Sequence, residues 1–221
     1  MQATFDVRAA MRLYFVAGSQ DVAHLSGNPA DNLLKVLEQA LQAGITCYQF
    51  REKGAKSLQD PTACKALAIR CRDLCRQHNV PFVIDDNVKL AIEVGADGIH
   101  VGQSDMSPAE AKQRSGGKCV VGTSVNTLAQ GLVAQADPHV DYFGVGPIFP
   151  TFSKEDPKPV VTPDFVTTIR QNNIDKPIVA IGGIGVDTAA MLRAKGADGV
   201  AVISAIARAE DIFATVKELL R

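Results

Sequence analysis

The chain has 221 residues, 46% hydrophobic and 21% charged, with 23 basic side chains against 24 acidic ones. This composition suits a globular protein with one sizeable core, and the balance of charge excludes a broad basic field for nucleic acid or an anionic membrane surface. No apolar run approaches the roughly 18–20 residues of a membrane span, Asp6, Arg8 and Arg12 interrupt any signal-peptide core, and the scarcity of aromatics argues against base-stacking platforms.

From the N-terminus, Ala3–Met11 reads as a short helix placed to close the bottom of a barrel, followed by a first strand at Leu13–Val16. A long connection, Ala17–Asn28, leads to a helix opened by Asn28-Pro29, a capping residue before proline at the first helical position. A second strand is expected at Cys47–Phe50, then a helix opened by Asp60-Pro61. On that helix Cys64, Leu67, Ala68, Cys71, Leu74 and Cys75 share one face. They read as a core stripe, since only His78 lies near enough to join a metal set. The total of five cysteines is odd, which argues against a disulfide framework and for a reduced, cytoplasmic protein.

Strands follow at Phe82–Ile84, Gly98–Val101, Cys119–Gly122, Tyr142–Val145, Ile178–Ile181 and Gly199–Ile203, which brings the expected number to eight. Ser107-Pro108 and Thr162-Pro163 repeat the capping signal, and Ser107 with Glu110 has capping-box spacing. The segment Gly146–Thr162 is long and proline-rich, which suits an active-site loop, and a last helix spans about Glu210–Leu220. Parts of the chain echo one another: Gly95-Ala96-Asp97-Gly98-Ile99-His100-Val101 resembles Gly196-Ala197-Asp198-Gly199-Val200-Ala201-Val202, with a looser copy at Val140–Gly146. Such repetition favours a single (βα)8 TIM barrel over residues 1–221, with residues 1–12 as an N-terminal extension. A doubly wound sheet is the competing arrangement, but its dinucleotide fingerprint is missing after the first strand.

In a barrel, polar residues at the C-terminal ends of strands share one mouth. After the second strand, alternation sends Gln49, Arg51 and Lys53 to one side, a set that suits a diphosphate. Asp85-Asp86 follow the third strand and Gln103-Ser104-Asp105 the fourth; two separate acids beside two cations suit Mg2+ shared with phosphate oxygens. Ser124 follows the fifth strand as a hydroxyl donor, with no histidine near it in the pattern to make a nucleophilic triad. All four histidines (His24, His78, His100 and His139) read as structural. Thr151-Phe152-Ser153-Lys154 after the sixth strand suits anionic oxygen. Gly182-Gly183 after the seventh and Ser204 after the eighth fall at the fold's commonest phosphate site. Two anion sites at one mouth imply displacement of pyrophosphate from one substrate by a second, phosphorylated one.

The stretches Gln49–Lys53, Gly95–Gln103, Gly144–Thr151, Ile181–Ile184 and Val202–Ser204 resemble, in order and spacing, the motifs of the thiamine phosphate synthase family, and the resemblance covers nearly the whole chain. It implies a transferase of the alkyl/aryl class that joins hydroxymethylpyrimidine diphosphate to a thiazole phosphate, with Mg2+ and small-molecule substrates as its partners. The same resemblance implies that Gln49, Phe50, Arg51, Glu52, Lys53, Asp85, Ser124 and Lys154 hold the pyrimidine diphosphate. Asp86 and Asp105 would then hold the metal, with Thr151, Phe152, Ser153, Gly183, Ile203 and Ser204 on the thiazole phosphate. Arg51, Lys53, Ser124 and Lys154 would act on the leaving group. Two positions depart from the family pattern: Asp85 stands where Asn is more frequent, and Ser153 where Thr is common. Two other functions compete, a thiazole tautomerase and a non-catalytic thiazole-phosphate regulator. Tautomerase relatives carry His where this chain has Pro147, and a regulator has no need of Asp86, Asp105 and Lys154 together. The oligomeric state, a homo-oligomer included, stays open.

Overall fold

The computed structural model describes residues 5–151, 153 and 158–221. Eight strands form a closed parallel barrel in chain order: β1 (Leu13–Ala17), β2 (Cys47–Phe50), β3 (Phe82–Asp85), β4 (Gly98–Val101), β5 (Val120–Val125), β6 (Tyr142–Val145), β7 (Ile178–Ile181) and β8 (Gly199–Val202). The barrel closes where Tyr14 of β1 pairs with Ala201 of β8. The helices are α1 (Val7–Ala10), α2 (Pro29–Ala43), α3 (Pro61–Gln77), α4 (Val88–Val94), α5 (Pro108–Arg114), α6 (Leu128–Ala136), α7 (Asp164–Gln171), α8 (Val186–Ala194), α9 (Ser204–Ala207) and α10 (Ile212–Leu220). None of the described helices is long and apolar enough to cross a membrane.

Strand alternation divides the core into two shells. Leu13, Phe15, Tyr48, Phe50 and Phe82 point outwards and pack with the helix faces, among them the Leu67, Cys71 and Cys75 stripe of α3. Tyr14, Val16, Cys47, Val83, Tyr142 and Val179 point inwards and fill the barrel. Ala10 and Met11, at the end of α1, join this inner shell, so the single helical turn plugs the bottom. It is shorter than Ala3–Met11, and Ala3 lies outside the described residues.

The side chains of Asn28, Asp60 and Ser107 cap α2, α3 and α5, each with proline following at the first helical position. Thr162 departs from that pattern. It takes a left-handed φ of 65°, and α7 starts after Pro163 with no side-chain cap. The echoed Asp positions have a common job. The backbone N–H of Asp97, Asp141 and Asp198 donates to the carbonyl of Phe82, Val121 and Ile178, at 2.8–2.9 Å. In return each Asp carboxylate accepts the N–H of that same residue, at 2.7–2.9 Å. Thr46 does the same for Leu13 with its hydroxyl. One residue before each even-numbered strand therefore staples that strand to the start of the preceding odd one, at the end of the barrel opposite the mouth.

Candidate active site

At the C-terminal end of the barrel, Gln49, Arg51, Asp85, His100 and Ser124 line a cavity that runs into the lumen. Gln49 and Arg51 are buried and converge on one acid: Gln49 Nε2 donates to Asp85 Oδ1 at 2.9 Å, and Arg51 Nε lies 3.3 Å from Asp85 Oδ2. Lys53, one alternation further out, donates to Asp86 Oδ2 at 2.6 Å. The two residues between them face the other way. Phe50 packs in the outer shell beside Phe82. Glu52 accepts from the Ser19 amide and hydroxyl and from the Leu58 amide, tying the β1 and β2 loops together. The structure thus does not bring the Phe50 or Glu52 side chain to the mouth. The contiguous motif Gln49–Lys53 splits by the two-residue period of the strand into three inward groups and two scaffold groups.

Asp86 and Asp105 come together beside Lys53, with their carboxyls in hydrogen-bond reach of each other. Asp86 has a left-handed φ of 56°, a conformation that a non-glycine residue holds only where its surroundings impose it. Its amide is anchored on His100 O at 2.8 Å. Burial favours the neutral acid, but the Lys53 hydrogen bond and charge outweigh it and hold Asp86 below the usual carboxylate range. Burial and the adjacent Asp86 charge push Asp105 up instead, although its carboxylate accepts the Gly102 N–H at 3.0 Å. The bond to Asp86 raises Lys53, so the lysine stays charged. Among the described residues, two cations face three carboxylates in this part of the mouth, Asp85 included. No set of three or more His, Cys, Asp or Glu suited to a metal exists among the described residues. The acid pair therefore fits a cation that takes its remaining ligands from phosphate oxygens and water, as Mg2+ does.

Ser124 lies within β5, which continues to Val125 rather than ending at Gly122. Contrary to the sequence reading, a histidine does reach it. His100 Nε2 is 3.0 Å from Ser124 Oγ, and His100 Nδ1 is 3.1 Å from the Tyr142 hydroxyl, which in turn lies 2.9 Å from the Tyr14 hydroxyl. His100 is thus a cavity wall and not only a core residue. The signal was the inward phase that Gly98 and His100 share with Gln49 and Arg51. Tyr14 and Tyr142 were hidden in apolar runs. Burial raises both phenols far above their ordinary range, so they stay protonated.

Across the mouth, Gly182 and Gly183 turn with φ of 102° and 65° after β7. The start of the β6 loop lies on this turn: Ile148 N–H donates to Ile181 O at 2.9 Å and Phe149 N–H to Gly182 O at 3.0 Å. Ile203 packs in the inner shell, and exposed Ser204 opens α9. Thr151 and Ser153 are close in space, the Ser153 amide donating to Thr151 Oγ1 at 3.3 Å. Phe152 and Lys154 lie outside the described residues.

Known proteins share this architecture and sequence. The family model described as thiamine monophosphate synthase matches residues 13–206. A thiamine-phosphate synthase of Histophilus somni is 69% identical over 221 residues, all of both chains. One from Pasteurella multocida is 67% identical over 97% of each chain. The solved thiamine phosphate pyrophosphorylase of Pyrococcus furiosus superposes with a TM-score of 0.81 at 31% identity, covering 97% of this chain and 96% of its own. With the barrel and a mouth that pairs acids, cations and a glycine turn, these matches place the chain in the thiamine monophosphate synthase family.

Proposed function

We infer that the chain condenses 4-amino-2-methyl-5-hydroxymethylpyrimidine diphosphate with 4-methyl-5-(2-hydroxyethyl)thiazole phosphate, giving thiamine phosphate and pyrophosphate. The observation that carries the site assignment is the Asp86–Asp105 pair held by Lys53, next to the Arg51–Asp85 ion pair. Among the described residues this corner holds three acids against two cations, so a diphosphate there meets carboxylate charge. The same corner becomes attractive once Asp86 and Asp105 hold Mg2+, whose chemistry there is to neutralise the developing charge of the leaving diphosphate.

Arg51 and Lys53 then act as donors to the diphosphate oxygens, and Ser124 supplies a neutral donor from the opposite wall. Gln49 and Asp85 present an amide and a carboxylate at the inner end of the same cavity, suited to the edge of the aminopyrimidine. The Gly182–Gly183 turn, Thr151, Ser153 and Ser204 form the second anion site, which anchors the thiazole phosphate so that its ring nitrogen faces the pyrimidine methylene. Bond cleavage leaves a methylene cation stabilised by the electron-rich pyrimidine, and attack by the held thiazole completes the reaction. Positioning supplies much of the rate, and no covalent enzyme intermediate is needed. Lys154 is assigned to the leaving diphosphate and Phe152 to the thiazole phosphate. Pyrophosphate release on mixing the two substrates with Mg2+ tests this reading. A tautomerase or a binding regulator would release none.

A further inference from the structure

A row of four side chains crosses the barrel just beneath the mouth: Tyr14 on β1, Tyr142 on β6, His100 on β4 and Ser124 on β5. Its links measure 2.9, 3.1 and 3.0 Å. The Tyr14, Tyr142 and His100 side chains are buried, so bulk water does not compete for the two tyrosine bonds, while the His100–Ser124 bond lies part-buried at the cavity wall. Space for the row is built into the strands. A Cβ on Gly122 would lie 2.1 Å from the Tyr142 ring, and one on Gly144 would lie 3.0 Å from the His100 ring. Glycine on β5 and β6 thus lets two large polar rings lie flat against the wall.

We propose that this row is a one-directional hydrogen-bond chain that fixes His100 as the Nε2–H tautomer and turns the Ser124 proton outwards onto the diphosphate, making Tyr142 a positioning residue for the departing group. A diphosphate oxygen only accepts, so the single hydroxyl proton of Ser124 must point to it. Ser124 Oγ must then accept from His100, which requires a proton on Nε2. A neutral imidazole carrying that proton has a bare Nδ1, which can only accept. Tyr142 therefore donates to Nδ1, and Tyr14 donates to the Tyr142 oxygen. Beyond Tyr14 lies the Cys47 thiol, which already donates to Pro81 O at 3.7 Å. Its sulfur is a weak acceptor, so it does not draw the Tyr14 proton away from the phenol oxygen. Each bond in such a chain polarises the next, which strengthens the final donor as charge builds on the leaving group.

The proposal rests on the assignment of Ser124 to the diphosphate, and its test separates the two. Nitrogen NMR of the 15N-histidine-labelled full chain, with and without pyrophosphate and Mg2+, reads the tautomer of His100. The resonance is assigned by its loss in His100→Gln. The expected result is one neutral form with the proton on Nε2, and a mixture of tautomers in Tyr142→Phe. Single-turnover pyrophosphate release in Tyr142→Phe should fall roughly 3- to 10-fold, the range one hydrogen bond covers. The KM for the pyrimidine diphosphate should stay within about 2-fold of wild type, because the tyrosine does not touch it. Tyr14→Phe, which leaves the Tyr142–His100 bond in place, should show a smaller loss. A proton on Nδ1, or a Tyr142→Phe enzyme with unchanged tautomer and rate, would overturn the chain. If instead Ser124→Ala keeps the wild-type rate while His100 shows the expected tautomer, the placement of Ser124 on the diphosphate is wrong, and the functional end of the proposal goes with it.

Discussion

Gly183→Ala tests whether the mouth holds two separable anion sites. Gly183 sits at φ 65°, so an added side chain carries the left-handed backbone cost of roughly 1–2 kcal/mol. Its Cβ would also lie 2.6 Å from Pro150 O and 2.7 Å from Phe149 Cβ. Ordinary contact starts near 3.4 Å, so the β6 loop must retreat by about 0.8 Å. That shift loosens the Phe149–Gly182 hydrogen bond and moves Thr151 and Ser153 away from the turn. The loop lies at the surface and can yield, so the stability loss should stay near the backbone term. For a chain of this length that corresponds to a Tm lower by roughly 2–8 °C. The larger effect falls on binding: thiazole phosphate affinity should drop about 10-fold or more, with pyrimidine diphosphate affinity within about 2-fold of wild type, as one misplaced anion contact implies. Calorimetric titration with each substrate, alongside thermal melts, measures both. Gly117→Ala is the control, since Gly117 has φ 72° and nothing within 4 Å of an added Cβ. It should lower Tm and leave both affinities alone. Equal loss of both substrates in Gly183→Ala, or no loss of the thiazole phosphate, would refute two separate sites.

Asp86→Asn and Asp105→Asn should each lower turnover by orders of magnitude with little change in the melting curve; near-normal rates at limiting Mg2+ would remove the metal from these residues. Because burial and Asp86 raise the Asp105 pKa, Mg2+ affinity should depend on pH. It should begin to fall on acidification above the ordinary carboxylate range, as read by Mg2+ titration of the resting protein. Lys154→Ala should reduce the single-turnover rate by roughly 10²-fold, as loss of a strong electrostatic donor does, with thiazole phosphate affinity unchanged. Asp198→Ala, far from the mouth, removes a carboxylate shared by Arg8, Arg170 and the Ile178 amide. It should destabilise by about 1.5–3 kcal/mol in chemical denaturation, because Arg170 and the Ile178 amide lose a charged acceptor, while the half-exposed Arg8 contributes little.

The barrel was legible because a parallel strand buried on both faces is a short apolar run between glycine or proline signals, and eight such runs alternate with capped helices. Sequence and structure part where a residue's local look opposes its place in the barrel. Ser124 reads as following the fifth strand, yet β5 continues through it to Val125, because the lumen near the mouth accepts its polar side chain. His100 looks like one polar residue in a core strand, yet its inward phase makes it a wall of the cavity. Phe50 and Glu52 share a motif with Arg51, but their opposite phase puts them in the scaffold. Thr46, lacking the Gly-Ala-Asp-Gly signature, concealed the fourth staple. In each case the two-residue period of the strand carried more information than contiguity or residue type.

The two ends of this barrel handle charge in opposite ways. At the bottom, Asp97, Asp141 and Asp198 each take a backbone N–H from the neighbouring strand, and Asp141 and Asp198 also meet basic side chains. Charge-assisted bonds of this kind contribute about 1.5–3 kcal/mol each and tie the strands together at that end. At the mouth, Asp86 is held at a left-handed φ beside a second acid, and Gly182 and Gly183 form a left-handed turn. That arrangement stabilises no fold by itself. It leaves repulsion between carboxylates that a cation relieves, and open donors that an anion fills. Ligands that bring both, a metal and phosphate groups, therefore gain from binding what the folded chain withholds from its own stability. The staples support this division, because they fix the opposite end of every strand and leave the mouth's side chains to bind ligand.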